Sequence, residues 1–175
     1  MKLSPSIEAL IEGLRRLPGV GPKSAQRMTL HLLERDRPGA VKLSEALEMA
    51  VAVVKNWVRC RNFTELDICE ICIDPKRDSS TICVVETPAD VMAIESSGGF
   101  SGHYYVLMGH LSPIDGIGPE QLGLEELCDR FRSDGIREII LATNPTVEGE
   151  ATAFYIRQRA HAARLVVSRI AHGVP

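Results

Sequence analysis

Three cysteines in the stretch WVRCRNFTELDICEIC, residues 57–72, are the clearest candidates for chemistry in this chain. Cys69 and Cys72 form a C-x-x-C pair, and Cys60 lies upstream of them. Closely spaced thiolates are common ligands of a structural zinc ion, which is nearly always four-coordinate. A second C-x-x-C pair would begin at position 57, where the chain has Trp57. The stretch therefore predicts either a zinc site with three cysteine ligands or a finger held by packing.

The turn LPGVGPKSAQR, residues 17–27, is a second candidate. Gly19 and Gly21 allow a tight turn and the close approach of a ligand. The helix that follows directs its free N–H groups and positive dipole end at the turn, which favours a phosphate there. Lys23 and Arg27 are four residues apart and share one helical face. The pattern predicts DNA-backbone binding without base specificity; the alternative is an ordinary helix corner with solvated cations.

The distribution of charge supports a basic N-terminal region. Net charge is −3 overall, whereas residues 1–42 contain eight Lys or Arg and four Asp or Glu, so that the remainder carries −7. Any polyanion contact is therefore expected in the first forty residues. The start of the chain is amphipathic and carries Glu8 and Glu12, unlike a signal peptide. A cytoplasmic protein with free or metal-bound cysteines is expected, with no membrane contact.

Apolar periodicity predicts helices in the N-terminal third of the chain. Ser4 and Pro5 are typical of a helix start, and a second helix is predicted from Ser24 to about Arg35. The segment RPGAVK is expected to be a loop. A third helix is predicted from Ser44, with a buried apolar stripe formed by Leu47, Ala50, Val54 and Trp57.

The pattern changes after the cysteines. Four β-rich apolar runs alternate with helical segments, which predicts parallel β-α-β units. The runs are ICVVE, HYYVLMG, REIILATN and RLVVSRI.

Several blocks resemble the RecR family of bacterial recombination mediators. They are LPGVGPKSAQRM, the cysteine stretch with DPKRD, ICVVETPAD, GHLSPIDGIGP and LATNPTVEGEATAFYI with SRIAHGVP. The resemblance implies an α/β chain of three parts: a helix-hairpin-helix over residues 1–54, a cysteine finger over 55–78, and a Toprim domain, Rossmann-like with a mainly parallel sheet, over 79–175. By resemblance, Cys60, Cys69 and Cys72 are three of four zinc ligands, and Gly19, Gly21, Lys23 and Arg27 contact DNA.

The resemblance also implies partners. Family members act with RecO and RecF to load RecA onto single-stranded DNA coated with single-strand-binding protein, which implies a non-enzymatic, nucleoid-associated DNA clamp that binds single- and double-stranded DNA. They form homo-oligomers, as ring tetramers or dimers. The chain is expected to lack the family's C-terminal segment, which packs between subunits, so ring closure is left open. A truncated protein-binding form without clamp function is one alternative.

The other alternative is a metal-dependent Toprim enzyme of nucleic-acid phosphotransfer. Enzymatic Toprim domains pair a glutamate with an Asp-x-Asp, because Mg²⁺ prefers anionic oxygens. Here Glu86 is paired with Asn144-x-Thr146, which removes two formal negative charges. A catalytically silent domain is therefore expected, whose acidic rim binds a basic partner protein. The predicted rim comprises Glu86, Asp90, Asn144, Glu148 and Glu150; for Glu148 and Glu150 the alternative is a solvated helix start.

Overall fold

The N-terminal third of the chain is helical. The computed structural model describes residues 3–171, so the outermost residues of the predicted domains, 1–2 and 172–175, lie outside the described part. The chain divides into two compact units after Val53. The first unit contains helices α1 (Pro5–Leu14), α2 (Pro22–Arg35) and α3 (Arg37–Val53).

Helices α1 and α2 are confirmed. Helix α1 begins at Pro5, after an extended Ser4. Helix α2 begins at Pro22, two residues before the predicted Ser24. Proline fits the first turn of a helix because its missing N–H would have no intrahelical partner there. The two helices pack against each other, and Ala25 of α2 is fully buried.

The prediction of a loop at RPGAVK was wrong, because α3 begins at Arg37. Asp36 accepts a hydrogen bond from the Gly39 N–H at 2.9 Å, which caps the first turn. Pro38 occupies that same first turn, where it does not break the helix. The Pro-Gly pair therefore marks a helix start here rather than a turn.

The prediction that Trp57 extends a buried face of the third helix was also wrong. Helix α3 ends at Val53, and the next residues form strand β1 (Lys55–Asn56), antiparallel to β2 (Phe63–Thr64). Trp57 lies in the connection between these strands, with its N–H 2.9 Å from the Asn62 carbonyl. The predicted stripe itself faces solvent in the single chain: Leu47 is 58% exposed.

The second unit is an α/β sheet domain, as predicted. All four strands of its main sheet are parallel, in the order β4-β3-β5-β6. Its elements after β2 are α4 (Glu70–Ile73), β3 (Asp78–Val85), α5 (Pro88–Ser97), β4 (Gly102–Val106), α6 (Leu124–Ser133), β5 (Glu138–Ala142), α7 (Val147–Ala162) and β6 (Val166–Arg169).

Alternation along the central strand β3 builds the core on both faces of the sheet. Ile82 and Val84 belong to the larger apolar cluster, which α6 and α7 cover. Cys83 belongs to the cluster on the opposite face, and Cys128 packs at the edge of the larger one. Burial raises the pKa of Cys83 to about 12. Both cysteines are therefore packing residues, as the sequence predicted.

The strand order shows at which edge of the main sheet a ligand is expected to bind. Strand β3 has β4 on one side and β5 on the other, so the chain connections diverge between β3 and β5. In open parallel sheets, ligands collect at such a switch point, beyond the carboxyl ends of the strands. Glu86 follows β3 there, and Asn144 lies two residues beyond β5.

None of the helices within residues 3–171 combines the length and apolarity needed to cross a membrane.

Candidate functional site

The turn between α1 and α2 has the backbone geometry that its glycines predict. Gly19 has a φ of 78°, a left-handed conformation that glycine adopts without steric cost. The Val20 N–H bonds to the Leu17 carbonyl at 3.1 Å and closes the turn. Gly21 precedes α2 and offers no side-chain cap to its first N–H groups. The start of α2 is thus an open, positively polarised surface.

Lys23 and Arg27 extend this surface along α2. Both side chains are exposed, and they line the same shallow depression, beside His31. Among the ion pairs of residues 3–171, none involves Lys23 or Arg27. The two cations are therefore available to phosphate oxygens, which they would contact without reading bases.

The three predicted zinc ligands are brought together. The Sγ atoms of Cys60, Cys69 and Cys72 all lie within 4.8 Å of one another. Zinc–thiolate bonds of about 2.3 Å imply tetrahedral edges of about 3.8 Å, so this spacing fits a zinc ion. Cys60 and Cys69 are buried, and Cys72 is half-buried. Hydrogen bonds from Cys60 and then Cys72 lower the pKa of Cys69, whereas the hydrogen bond with Cys69 raises the pKa of Cys60.

The sequence position expected for a fourth cysteine is held by Trp57, a residue that cannot bind a metal. The Trp57 indole Nε1–H is a donor only, because the nitrogen lone pair belongs to the aromatic system and is not available to a metal. It is buried and has no hydrogen-bond partner. Within residues 3–171, no fourth Cys, His, Asp or Glu joins the cluster. The donor set therefore fits three of the four positions of a structural zinc site.

Hydrogen bonds and ion pairs attach the finger to the sheet domain. The Val106 N–H of β4 bonds to the Cys60 carbonyl at 2.8 Å. Arg130 of α6 is buried and donates to the Arg59 carbonyl at 2.8 Å and to Asp134 at 2.9 Å. Arg59 pairs with the same Asp134 at 2.9 Å. The turn that carries Cys60 is thus fixed to the sheet by groups other than Trp57.

At the switch point, Glu86 is a buried carboxylate whose two oxygens are both occupied. Its Oε1 accepts from the Asn144 backbone N–H at 2.9 Å, and its Oε2 accepts from Asn144 Nδ2 at 2.8 Å. His110 Nδ1 lies 3.4 Å from the same Oε2. The Glu86 side chain is only 4% exposed. Asn144 therefore supplies donors where an enzymatic Toprim domain would present a second carboxylate.

The neighbouring backbone leaves little room at this position. A Cβ on Gly149 of α7 would lie 2.1 Å from the Asn144 carbonyl oxygen and 2.9 Å from Glu86 Oε1. Thr146 caps α7 by accepting from the Gly149 N–H at 3.0 Å. Both members of Asn144-x-Thr146 thus have structural hydrogen bonds, and neither presents an anionic oxygen to a metal.

The members of the predicted acidic rim differ in their surroundings. Glu86 is buried, as described, and Asp90 forms a reciprocal capping box with Thr87 at the start of α5. Glu148 is half-buried and borders an apolar cleft of about 600 Å³. Glu150 is exposed and paired with Arg169. Partner binding by this rim remains a prediction. Glu148 and Glu150 are the best candidates for contacting a partner, because their side chains reach the surface.

Sequence reasoning missed His110, Arg130 and Gly149. Arg130 contacts the finger across 71 residues of sequence, which no local pattern signals. His110 lies in the segment GHLSP that carried part of the resemblance, and its position after β4 could have placed it at the switch point. Gly149 lies inside a helix, where glycine is costly unless something approaches closely, and this could have indicated the tight contact.

Comparison with known proteins identifies relatives for both units. A family model described as "RecR, helix-hairpin-helix" matches residues 7–51, and a Toprim-domain model matches residues 80–171. The chain is 60% identical over 172 residues to Recombination protein RecR of Saccharophagus degradans. That alignment covers 98% of this chain and 87% of the relative.

Proposed function

The chain belongs to the RecR family, and from this premise we propose that it is a DNA-binding clamp subunit that acts with RecO and RecF. Its role would be to load RecA onto single-stranded DNA coated with single-strand-binding protein. Support comes from the identity across nearly the whole chain and from the intact helix-hairpin-helix model match. A cytoplasmic, nucleoid-associated location follows from this role.

The observation that carries DNA binding is the open start of α2. Gly19 and Gly21 leave the helix start unobstructed, and Lys23 and Arg27 lie beside it with exposed side chains. Phosphate oxygens gain backbone N–H groups, the helix dipole and two cations from one surface. No base edge is needed for these contacts, so binding to both single- and double-stranded DNA of any sequence is expected.

The role is tested by RecA loading. We expect the chain, added with RecO and RecF, to shorten the lag before RecA hydrolyses ATP on single-stranded DNA coated with single-strand-binding protein. The control for this assay omits RecO. In a separate test for nuclease activity, DNA incubated with the chain and Mg²⁺ is expected to be recovered uncut. A lag unchanged by the chain would contradict the mediator role, and nicking that disappears in Glu86→Ala would establish the enzymatic alternative instead.

We propose that the domain catalyses no reaction. Its support is the arrangement at the switch point, where Asn144 hydrogen-bonds both oxygens of Glu86. Metal-assisted phosphoryl transfer needs anionic oxygens that hold a divalent cation at the scissile phosphate. The carboxylate that could begin such a site is already engaged and buried.

We propose that the chain works as a homo-oligomer joined through α3. No residue of this helix is buried in the single chain, although it carries many large apolar side chains. Met49 is 66% exposed and Val51 is 83% exposed. Apolar surface of this density usually marks a protein interface. A second copy is the partner that the family resemblance implies.

Replacing both Met49 and Val51 with aspartate is expected to reduce the mass in solution to that of one chain. Two charges in a buried apolar interface would be left without partners. Sedimentation equilibrium measures the mass with and without DNA. The matched control is Val147→Asp, which alters an equally exposed valine in the second unit. An unchanged mass in the double variant would exclude α3 as the interface.

We also propose that zinc is the ion held by Cys60, Cys69 and Cys72. Thiolates are soft ligands that zinc accepts readily, and the three sulfurs already have a compatible spacing. Bound zinc would crosslink the turn at Cys60 to the turn at Cys69–Cys72. It would thereby stabilise the finger against unfolding.

A further inference from the structure

Helix α7 has an exposed face that the switch point does not use, and the helix packs against β6, the edge strand of the main sheet. We propose that this face and the cleft between α7 and β6 bind single-stranded DNA. The contact would be additional to the hairpin of α1 and α2 and independent of it. The residues that carry it are Phe154, Arg157 and Arg169.

The charge of this segment is opposite in sign to that of its unit. Residues 54–175 contain 12 Lys or Arg and 17 Asp or Glu, a net charge of −5, whereas residues 151–171 contain four Arg and no Asp or Glu. The helix dipole accounts for a cation in the last turn of α7, such as Arg159. It does not account for Arg157, which lies before that turn, or for Arg169, which lies on β6. A local basic surface on an acidic unit indicates a polyanionic ligand.

Phe154 exposes an aromatic ring beside one of these cations. It is 52% exposed, while its neighbour Ala153 is buried, so the ring lies on the outer side of the helix. The guanidinium carbon of Arg157 is 5.6 Å from the ring centroid, and no ion pair within the described residues involves Arg157. Aromatic rings and arginines on which bases stack are the usual contacts of single-stranded nucleic acid, and they accept any base. Bases of a duplex are already paired and stacked on one another, so this contact selects single strands.

The cleft beside Phe154 offers donors to the phosphate backbone. It has a volume of about 380 Å³ and extends from Phe154 and Arg157 to Ser168 and Arg169. Glu150 also lines the cleft and pairs with Arg169 Nη1. Two other donors of Arg169, at Nε and Nη2, are buried and have no hydrogen-bond partner in the part of the chain that the structure describes. Leaving such donors unpaired costs free energy, which a phosphate oxygen in the cleft would recover.

Fluorescence anisotropy on the full chain tests this site with labelled oligo-dT and with a duplex of the same length. F154A/R157A is expected to lower the affinity for oligo-dT about tenfold, the low end for losing one stacked base. The affinity for the duplex should change much less. The same loss on oligo-dT is expected in a K23A/R27A background, because the two surfaces share no residue. Irradiation of the wild-type chain with oligo-dT that carries 5-iodouracil should crosslink the DNA to the α7 peptide containing Phe154, a result that needs no variant to fold.

The matched control is V147A/R159A, which also removes an exposed apolar side chain and one arginine from α7. Arg159 lies over the Tyr155 ring, 5.2 Å from its centroid, so the control should bind oligo-dT like the wild type. Unchanged oligo-dT affinity in F154A/R157A would overturn the proposal and leave the basic face to an acidic protein. An equal loss on oligo-dT and duplex would overturn it too, because stacking would then contribute nothing. A loss in F154A/R157A without one in K23A/R27A would refute the hairpin and keep this site, and the reverse would refute only this site.

Discussion

Replacing Lys23 and Arg27 together with alanine is expected to weaken DNA binding on the order of a hundredfold at low salt, taking about 1.4 kcal/mol for each phosphate contact. The reason is the geometry of α2, which presents both cations beside its open start. Each phosphate contact normally releases a counterion from the DNA, and this release is lost together with the contact. The slope of log affinity against log salt should therefore become shallower by about two.

Fluorescence anisotropy with labelled single- and double-stranded DNA, repeated at several salt concentrations, measures both quantities. Alanine suits a helix, so α2 should persist in the variant, and circular dichroism checks this. The matched control removes two positive charges elsewhere, at the exposed Lys76 and Arg132 of the second unit. It should shift affinity slightly and leave the slope near that of the wild type. Equal affinities for the double variant and the wild type at moderate salt would refute the assignment of the hairpin.

The sheet domain was predictable because each buried parallel strand can be recognised from the apolar composition of its own few residues. Runs such as ICVVE and REIILA are rich in apolar and β-branched residues, since both faces of their strands are covered. Their alternation with helical segments then leaves few topologies. The position of Glu86 and Asn144 at one edge followed from the strand ends, before any contact between them was known.

The end of α3 was not predictable from the same kind of pattern. The apolar spacing of Leu47 and Val54 continues to Trp57, yet the helix stops at Val53. Periodicity reports which side of a segment avoids water and does not report what covers that side. In the single chain nothing buries Leu47. The residues after Val54 instead form β1, which pairs with β2. Whether a segment pairs in this way depends on the partner strand and not on the segment's helical propensity.

The contacts that define the sites could not be predicted from the sequence, for a related reason. Arg130 holds the Arg59 carbonyl, and Asn144 holds Glu86 across 58 residues. In the sequence alone, the members of each pair cannot be distinguished from ordinary polar surface residues, because only the fold brings them together. Residue types could therefore predict which chemistry was missing at the switch point, whereas only the fold shows what replaces it.

Replacing Asn144 with aspartate is expected to destabilise the folded chain by about 2–3 kcal/mol at neutral pH, the typical loss for a hydrogen bond to a charged group combined with repulsion between carboxylates. Asn144 Nδ2 now donates to Glu86 Oε2 at 2.8 Å, and an aspartate would place a second anion beside a buried one. The repulsion raises the carboxyl pKa values of the folded variant above their unfolded values. The deficit relative to the wild type should therefore shrink as pH falls below about 5 and grow as pH rises.

Urea unfolding at several pH values measures this, and the swapped pair gives the decisive comparison. In E86Q/N144D the glutamine amide can donate to the new carboxylate, so that the hydrogen bond is restored with donor and acceptor exchanged. We expect the double variant to be more stable than the sum of the single changes by about 1–2 kcal/mol. N144A is the neutral control, because it removes the donor without adding charge and should show a deficit that changes less with pH. A swapped pair no more stable than that sum would mean that Asn144 does not hold Glu86, and the carboxylate would again be available to a metal ion. Recovery would instead show that a hydrogen bond between an amide and a carboxylate holds this edge of the sheet, as the proposed catalytically silent domain requires.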